Sequence, residues 1–430
     1  MREWKKYKLS EIATLSNGIN FDKSAYTSGV KLIGVADFKD KIYPDYESLQ
    51  EVDSKVVRRG DYLEKGDIVF VRSNGNKELV GRCMMIDREI PVTYSGFCIK
   101  LHLIDKALFE PVYFNYLFRT RQFRKAMIGT AVGANIQNLS QARLGNCEVN
   151  VPEIETQNSI ATILSRYDTL IENYQKQIKL LEEAAQRLYK EWFVELRFPG
   201  HENTKMVDGL PEGWERKKID DVCVSISSGS TPSRNNKNYW ENGTIKWVKT
   251  KELQDGWILD TEEYITQDGY NNSSTKMFPK NTVLMAIYAS PTLGRLGVLA
   301  TECCCNQAAL GLIADEAKIS WQWLFWKLYE LRDDFNSIAR GAGQQNISGI
   351  VVKNKMIVVP EKPIIDAFTS AVSKMFEKQK NISYQIRLLT EVRDRLLPRL
   401  MGGEMKVDAP KGQRAINPVH RSGRPEGAKK

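Results

Sequence analysis

Residues 160–189 read IATILSRYDTLIENYQKQIKLLEEAAQRLY, and residues 368–397 read FTSAVSKMFEKQKNISYQIRLLTEVRDRLL. Set in register 208 residues apart, the two stretches agree at nine of thirty positions, among them Asn173/Asn381, Gln177/Gln385, Leu180/Leu388, Leu181/Leu389, Glu183/Glu391 and Arg187/Arg395. Average composition gives about two by chance. In the first stretch Ile160, Leu164, Tyr167, Ile171, Tyr174, Ile178, Leu181, Ala185, Leu188 and Trp192 alternate spacings of four and three, a heptad seam. In the second, Phe368, Val372, Met375, Gln379, Ile382, Ile386, Leu389, Arg393 and Leu396 do the same. Gln379 and Arg393 are polar intrusions, of the kind that fix register or partner at some cost in stability. Phe198-Pro199-Gly200 is expected to stop the first helix, and Pro398 with Gly402-Gly403 the second. The two seams are expected to pack on each other.

The repeat extends outward from the helices. Trp4-x3-Lys8-Leu9-x-Glu11-Ile12 returns as Trp214-x3-Lys218-Ile219-x-Asp221-Val222. Gly133-Ala134-Asn135-Ile136 is answered by Gly343-Gln344-Gln345-Asn346-Ile347, and Val151-Pro152-Glu153 by Val359-Pro360-Glu361. The chain is one module written twice, a mixed region of about 150 residues followed by a helix. Short runs at Asp67–Val71, Thr282–Ile287, Val351–Val352 and Met356–Val359 read as strands between turn clusters. Val112–Phe123 and Trp321–Phe335 read as aromatic amphipathic helices, whose rings at helical spacing belong to a core more readily than to stacked bases.

Composition bounds the function. Of 430 residues 42% are hydrophobic and 27% charged, as in ordinary globular proteins, and Lys plus Arg outnumber Asp plus Glu 62 to 53. A surplus of +9 permits a polyanionic partner without requiring one. No apolar run approaches the ~18 residues of a membrane span, and no apolar signal core follows the opening MREWKK, so a cytoplasmic location is expected. Seven cysteines without paired spacing, three of them consecutive at Cys303, Cys304 and Cys305, read as reduced thiols rather than metal ligands. The phosphate-loop, zinc-hydrolase, zinc-deaminase and dinucleotide signatures are missing, as is the N/D-P-P-Y/F tetrapeptide of adenine methyltransferases. No catalytic residue and no metal site is assigned.

Polar, glycine-containing loops matched between the copies are what remain. The first copy offers Asn17, Arg72, Ser73, Asn74, Lys77, Asn135 and Gln137. The second offers Ser228, Thr231, Ser233 and Arg234 in SSGSTPSR, then Lys249, Lys251, Tyr288, Ser290, Arg340, Gln344, Gln345 and Asn346. Arg, Lys, Asn and Gln suit base edges, whereas Ser, Thr and main-chain N–H groups suit phosphates. These are candidate DNA-binding residues.

The ordered series of motifs resembles the specificity (S) subunits of type I restriction–modification systems. It comprises the repeated Trp-x3-Lys opening and Gly229-Ser230-Thr231-Pro232-Ser233 followed by Tyr239-Trp240 and Ile245-Lys246-Trp247-Val248. It continues with Val151-Pro152 with Glu155 and Gln157, Asp168-x2-Ile171-Glu172, Leu180-Leu181-Glu182-Glu183 and Arg187-Leu188-Tyr189. Two departures stand out: Ile364-Ile365 replaces the Glu-Gln pair in the second copy, and Ile19-Asn20 follows Gly18 in place of Thr-Pro.

The resemblance implies an α+β fold, with two pseudo-repeated mixed α/β target recognition domains separated by two long helices in an antiparallel coiled coil. The expected boundaries are recognition domain 1–154, central helix 155–197, linker 198–213, recognition domain 214–362, distal helix 363–401 and a basic tail 402–430 expected to be disordered. The seam of the coil is expected to use Leu164, Tyr167, Ile171, Tyr174, Ile178, Leu181 and Leu188 against Val372, Met375, Ile382, Ile386, Leu389 and Leu396. The implied partners are double-stranded DNA, two modification methyltransferase subunits and restriction endonuclease (motor) subunits, with no membrane. S-adenosylmethionine, ATP and Mg²⁺ would belong to those subunits, and the chain would hold no cofactor of its own. The alternatives are a fused restriction–modification enzyme with its own catalytic activity, which would need the missing motifs, and a purely structural coiled-coil protein, which leaves the matched loops without purpose.

Overall fold

The computed structural model describes residues 4–38, 41–74, 79–128, 137–288, 292–341, 346–405 and 407. The chain divides into two compact units, Met1–Leu170 with Leu389–Lys430, and Ile171–Leu388. Among the described residues no helix is long and apolar enough to cross a membrane.

The first unit opens with strand Lys5–Lys8, paired antiparallel to Glu148–Val151. In the second the corresponding strand is Glu215–Lys218, paired in the same way to Met356–Val359. The acidic residue three positions after each repeated Lys has a local cause. The main-chain N–H of Lys8 donates to the Glu11 carboxylate (2.8 Å) and that of Lys218 to Asp221 (2.9 Å), capping the short helical turn that each strand enters.

A four-stranded antiparallel sheet follows in the first unit, in the order Ala13–Asn17, Cys98–Leu103, Ile68–Val71, Cys83–Met85. A smaller sheet runs beside it, Gln50–Val52, Val30–Ile33, Val92–Tyr94, its last pair parallel. The second unit repeats this as Cys223–Ser228, Ala309–Ala314, Val283–Ala286, Leu296–Leu299, with Gly256–Ile258 added at the edge. Its smaller sheet is Glu263–Ile265, Ile245–Val248, Cys304–Cys305, again with a parallel last pair. Ile68–Val71 and Val283–Ala286 are buried throughout, because side chains cover both faces of these central strands. Five of the seven cysteines (Cys83, Cys98, Cys223, Cys304 and Cys305) lie in strands.

The aromatic helices pack into the cores: Tyr113, Phe114 and Phe118 in the first unit, Trp323, Leu324 and Leu328 in the second, are all fully buried. Each stretch is two helices rather than one. Pro111–Arg119 and Arg121–Ile128 break at Thr120, whose hydroxyl accepts from the Phe123 N–H (3.3 Å). Trp321–Glu330 and Arg332–Gly341 break at Leu331. Val351–Val352, read as strand, instead lies in helix Gly349–Asn354, which Ser348 caps (3.4 Å to the Val351 N–H).

The long helices are Ile154–Tyr189 and Lys362–Met401. The first leaves regular form before Phe198-Pro199-Gly200, through a wider five-residue turn at Lys190–Val194 and a positive φ of 58° at Leu196. The second passes through Pro398, which sits in the last turn and removes one hydrogen bond only; Gly403, at φ 70°, ends it.

In the first unit Ile160, Ala161 and Leu164 from the start of one helix join Leu400 and Met401 from the end of the other in a single core. In the second, Ile365, Phe368 and Val372 join Ala185, Tyr189 and Phe193. Within the first unit Arg393 pairs with Asp168, and within the second the Phe193 ring meets Phe368 (5.1 Å). Partner numbers fall along one helix as they rise along the other, so the pair is antiparallel. Of the seam residues Leu164, Ile171, Val372 and Ile382 are buried, and Tyr167, Tyr174, Ile178, Leu181, Leu188, Met375, Ile386, Leu389 and Leu396 half-buried.

Both polar intrusions sit in the seam. Gln379 is buried, and Arg393 reaches Asp168, which also accepts from the Tyr116 hydroxyl. Gln157 is buried too; its amide donates to the carbonyls of Pro152 (2.8 Å) and Leu108 (3.0 Å) and accepts from the Glu110 N–H (3.0 Å). Ile365, 208 residues on, does the same docking by apolar burial alone. At the end of the second helix Met405 and Val407 pack on the first core, so packed chain continues beyond Gly403. Residues 408–430, which make up most of the basic tail, lie outside the described residues.

Two predictions follow from the helix pair. Arg393→Ala leaves the Asp168 carboxylate buried beside Tyr116 alone, and should cost about 3 kcal/mol in chemical denaturation. Replacing both, Asp168→Leu with Arg393→Met, should recover most of that loss. Burial, with the charges of Asp255 and Glu183, pushes Glu182 up to about 7. A carboxyl raised in the fold favours the folded state while protonated, below its ordinary 4.5, and loses that advantage as pH rises through about 7. Glu182→Gln should therefore raise the melting temperature at about pH 8 and leave it nearly unchanged near pH 4.

Candidate nucleic-acid interface

Three sequence-distant loops of the first unit meet at one end of its main sheet. The strand ending at Asn17 and the strand ending at Val71 flank the strand that begins at Cys98. Between them stands a tight turn, Ser95–Cys98. Gly18 N–H donates to the Cys98 carbonyl (3.2 Å), Ile19 N–H to Tyr94 (2.9 Å) and Arg72 N–H to Phe97 (2.8 Å). Leu139 N–H then donates to the Arg72 carbonyl (2.8 Å), and Ser73–Asn74 pairs with Gln137–Asn138. Asn17, Arg72 and Ser73 thus share one end of the domain, with the main chains of Asn74 and Gln137. Lys77 and Asn135 lie outside the described residues.

The second unit repeats the frame bond for bond. Gly229 N–H donates to Ala309 (3.1 Å), Ser230 N–H to Cys305 (2.9 Å), Ile287 N–H to Ala308 (2.9 Å) and Ile347 N–H to Ile287 (3.0 Å). Ser228, Tyr288 and Asn346 are thereby gathered at the corresponding end. Ser290, Gln344 and Gln345 lie outside the described residues, as does the side chain of Arg340. Gly18 and Gly229 occupy the same place for the same reason. A Cβ on Gly18 would stand 2.3 Å from the carbonyl oxygens of Tyr94 and Ser95, and one on Gly229 2.0 Å from that of Cys305.

The remaining candidates form a second group on the smaller sheet. The Arg234 guanidinium lies over Trp240 (3.6 Å to the centroid) and pairs with Glu263 (2.6 Å). Lys249 pairs with Glu262 (3.0 Å) and Glu263 (2.7 Å), and Lys251 with Glu262 (2.5 Å). The hydrogen bond to Glu263 raises the Lys249 pKa, and Lys251 then Lys249 hold Glu262 below the ordinary carboxylate range. Three cations share two carboxylates. Lys251 and Glu262 are exposed, so their pair is worth little, whereas Lys249 and Glu263 are half-buried. Ser233 is exposed beside Arg234, and the Thr231 hydroxyl donates to Gln307.

Among the described residues no group of three His, Cys, Asp or Glu is placed to hold a metal ion. Burial pushes the Cys303 thiol up to about 11 and Cys304 to about 12, so both are protonated at neutral pH. The sequence passed over the turn residues themselves. Phe97 is 62% exposed; in the corresponding turn of the second unit the exposed residue is Gln307, which answers Gly96, while Ala308, which answers Phe97, is buried. Ser95-Gly96-Phe97-Cys98 and Asn306-Gln307-Ala308-Ala309 share no residue, so only their hydrogen bonds reveal the equivalence.

A domain duplicated on an antiparallel helix pair, with one frame displaying two sets of side chains, defines a class of paired recognition modules. The model of the type I restriction modification DNA specificity domain matches residues 1–183 and 211–390. The chain belongs to this family, that of the specificity subunits of type I restriction–modification systems. The MjaIX specificity subunit of Methanocaldococcus jannaschii is 28% identical over 301 residues, 69% of each chain. The HindI specificity subunit of Haemophilus influenzae is 23% identical over 472 positions, covering 94% of this chain and 100% of its own. The crystal structure of an S subunit from M. genitalium shares the fold, with a TM-score of 0.60 at 16% identity, over 92% of this chain and 96% of that one.

The glycine positions yield a direct test of the frame. Gly18→Ala or Gly229→Ala should cost at least 1–3 kcal/mol, because main chain must shift to admit the methyl group. Gly60→Ala, with nothing within 4 Å, is the control and should change the melting temperature little.

Proposed function

We propose that this chain is the DNA-recognition subunit of a type I restriction–modification complex, and that each globular domain reads one half of a bipartite site in double-stranded DNA. The observation that carries the proposal is the loop frame, matched in hydrogen bonding and unmatched in side chains. Equivalent ends built from Asn17, Arg72 and Ser73 in one domain and Ser228, Tyr288 and Asn346 in the other would dock alike and select different bases. Arg234, Lys249 and Lys251 would hold backbone phosphates, exchanging Glu262 and Glu263 for them, which makes binding weaken as salt rises.

The helix pair sets the gap between half-sites and scaffolds two modification methyltransferase subunits and the restriction (motor) subunits. The chain itself performs no chemistry. S-adenosylmethionine, ATP and Mg²⁺ act on the partner subunits, and the assembly works in the cytoplasm. A fused enzyme would need methyltransferase or motor motifs that this sequence lacks.

Helix length supplies the test. Inserting four residues near Lys176–Lys179 adds about one turn, or 6 Å along the axis. At ~3.4 Å per base pair the gap should lengthen by up to about two base pairs, while the bases read in each half stay the same. Mapping methylated sites in cells that carry the variant with its methyltransferase partner measures both. An active variant with an unchanged gap would show that the helices are not the ruler.

A further inference from the structure

We propose that the tight turn at the tip of each domain is itself a base-contacting element, with Phe97 and Gln307 as specificity-determining residues. This rests on the proposal that each domain reads one half-site. The turn Ser95–Cys98 has almost no main-chain freedom left. Cys98 N–H closes it on the Ser95 carbonyl (2.8 Å), Ser95 N–H is held by Ile33 (3.0 Å) and Gly96 N–H by Ile19 (2.7 Å). The Phe97 and Cys98 carbonyls accept from Arg72 and Gly18. The large side chain that this held turn displays is the Phe97 ring, 62% exposed. Its main chain is already held in place by the turn, so little backbone entropy is lost when the ring touches a ligand.

The second turn is locked in the same way, by Ala309 N–H on the Asn306 carbonyl (3.2 Å) and Asn306 N–H on Val248 (3.0 Å). Its exposed residue is Gln307. The Thr231 hydroxyl donates to the Gln307 carbonyl oxygen, so what this exposed side chain can offer a ligand is its amide NH₂, a donor. The two tips therefore differ in chemistry, each displaying one side chain from adjacent positions of matched turns. A phenyl ring makes no hydrogen bond, and the apolar mark on a base edge in the major groove is the thymine methyl group. A donating amide instead selects a base-edge acceptor, N7 or O6 of a purine or O4 of thymine, over the amino group of cytosine. The first half-site should then carry a thymine under Phe97, and the second an acceptor-bearing base, not cytosine, under Gln307.

The test uses the full chain with its methyltransferase partner, carrying Phe97→Ala or Gln307→Ala. Site preference is read by mapping methylated DNA. Phe97→Ala should relax one position of the first half-site about tenfold and leave the second half intact. Gln307→Ala should do the reverse. DNA with deoxyuridine for thymine in the first half-site should reproduce the Phe97→Ala loss with the unaltered protein, so the outcome does not hang on how the variant folds. Both half-sites unchanged in both variants, or no loss with deoxyuridine, overturns the role of the turns while the one-domain, one-half proposal stands. One substitution relaxing both halves would overturn that proposal as well.

Discussion

Each globular core is closed by helix ends that come from opposite halves of the sequence. Leu400 and Met401 complete a core begun by residues 1–170, and Tyr189 and Phe193 complete one whose sheet begins at Cys223. Neither core can be finished by its own repeat, so folding requires the two long helices to run antiparallel. The apolar seam alone would tolerate slippage by a heptad. Arg393 on Asp168 does not, because a slip strands a buried carboxylate. The same constraint explains an asymmetry between the copies: Gln157 docks its helix by three hydrogen bonds and Ile365 by burial, two solutions to one packing position.

The loop ends follow a different rule, constancy of main chain with freedom of side chain. Main-chain bonds to Phe97 and Cys98, and to Ala308 and Ala309, fix where the loops lie without reference to what they display. Gly18 and Gly229 are dictated by the carbonyl oxygens they press against. Exposed positions can therefore change while stability hardly moves, which is what a family of recognition subunits with different targets requires.

The helices were legible in the sequence because a heptad seam is a strong periodic signal, and the Trp-x3-Lys repeat because its Glu11 and Asp221 caps are local. Val351–Val352 was misread since two valines carry no period, and the Ser348 cap decides the matter. Pro398 misled because position within the last turn, not residue type, sets its cost. The convergence of Asn17, Arg72 and Ser73 depends on strand order, which no local pattern encodes. Phe97 and Gln307 were invisible for the opposite reason: the turns that carry them correspond only through hydrogen bonds between residues with nothing in common, Phe97 answering Ala308 and Gly96 answering Gln307.

The central claim is that two equivalent ends on one chain select DNA independently. Replacing residues 214–362 with the matching region of a relative of different specificity, and mapping the methylated sites, tests it most directly. The account predicts a hybrid target, with one half-site exchanged, the other retained and the gap unchanged. A stable, active hybrid whose two half-sites both changed, or neither, would contradict it.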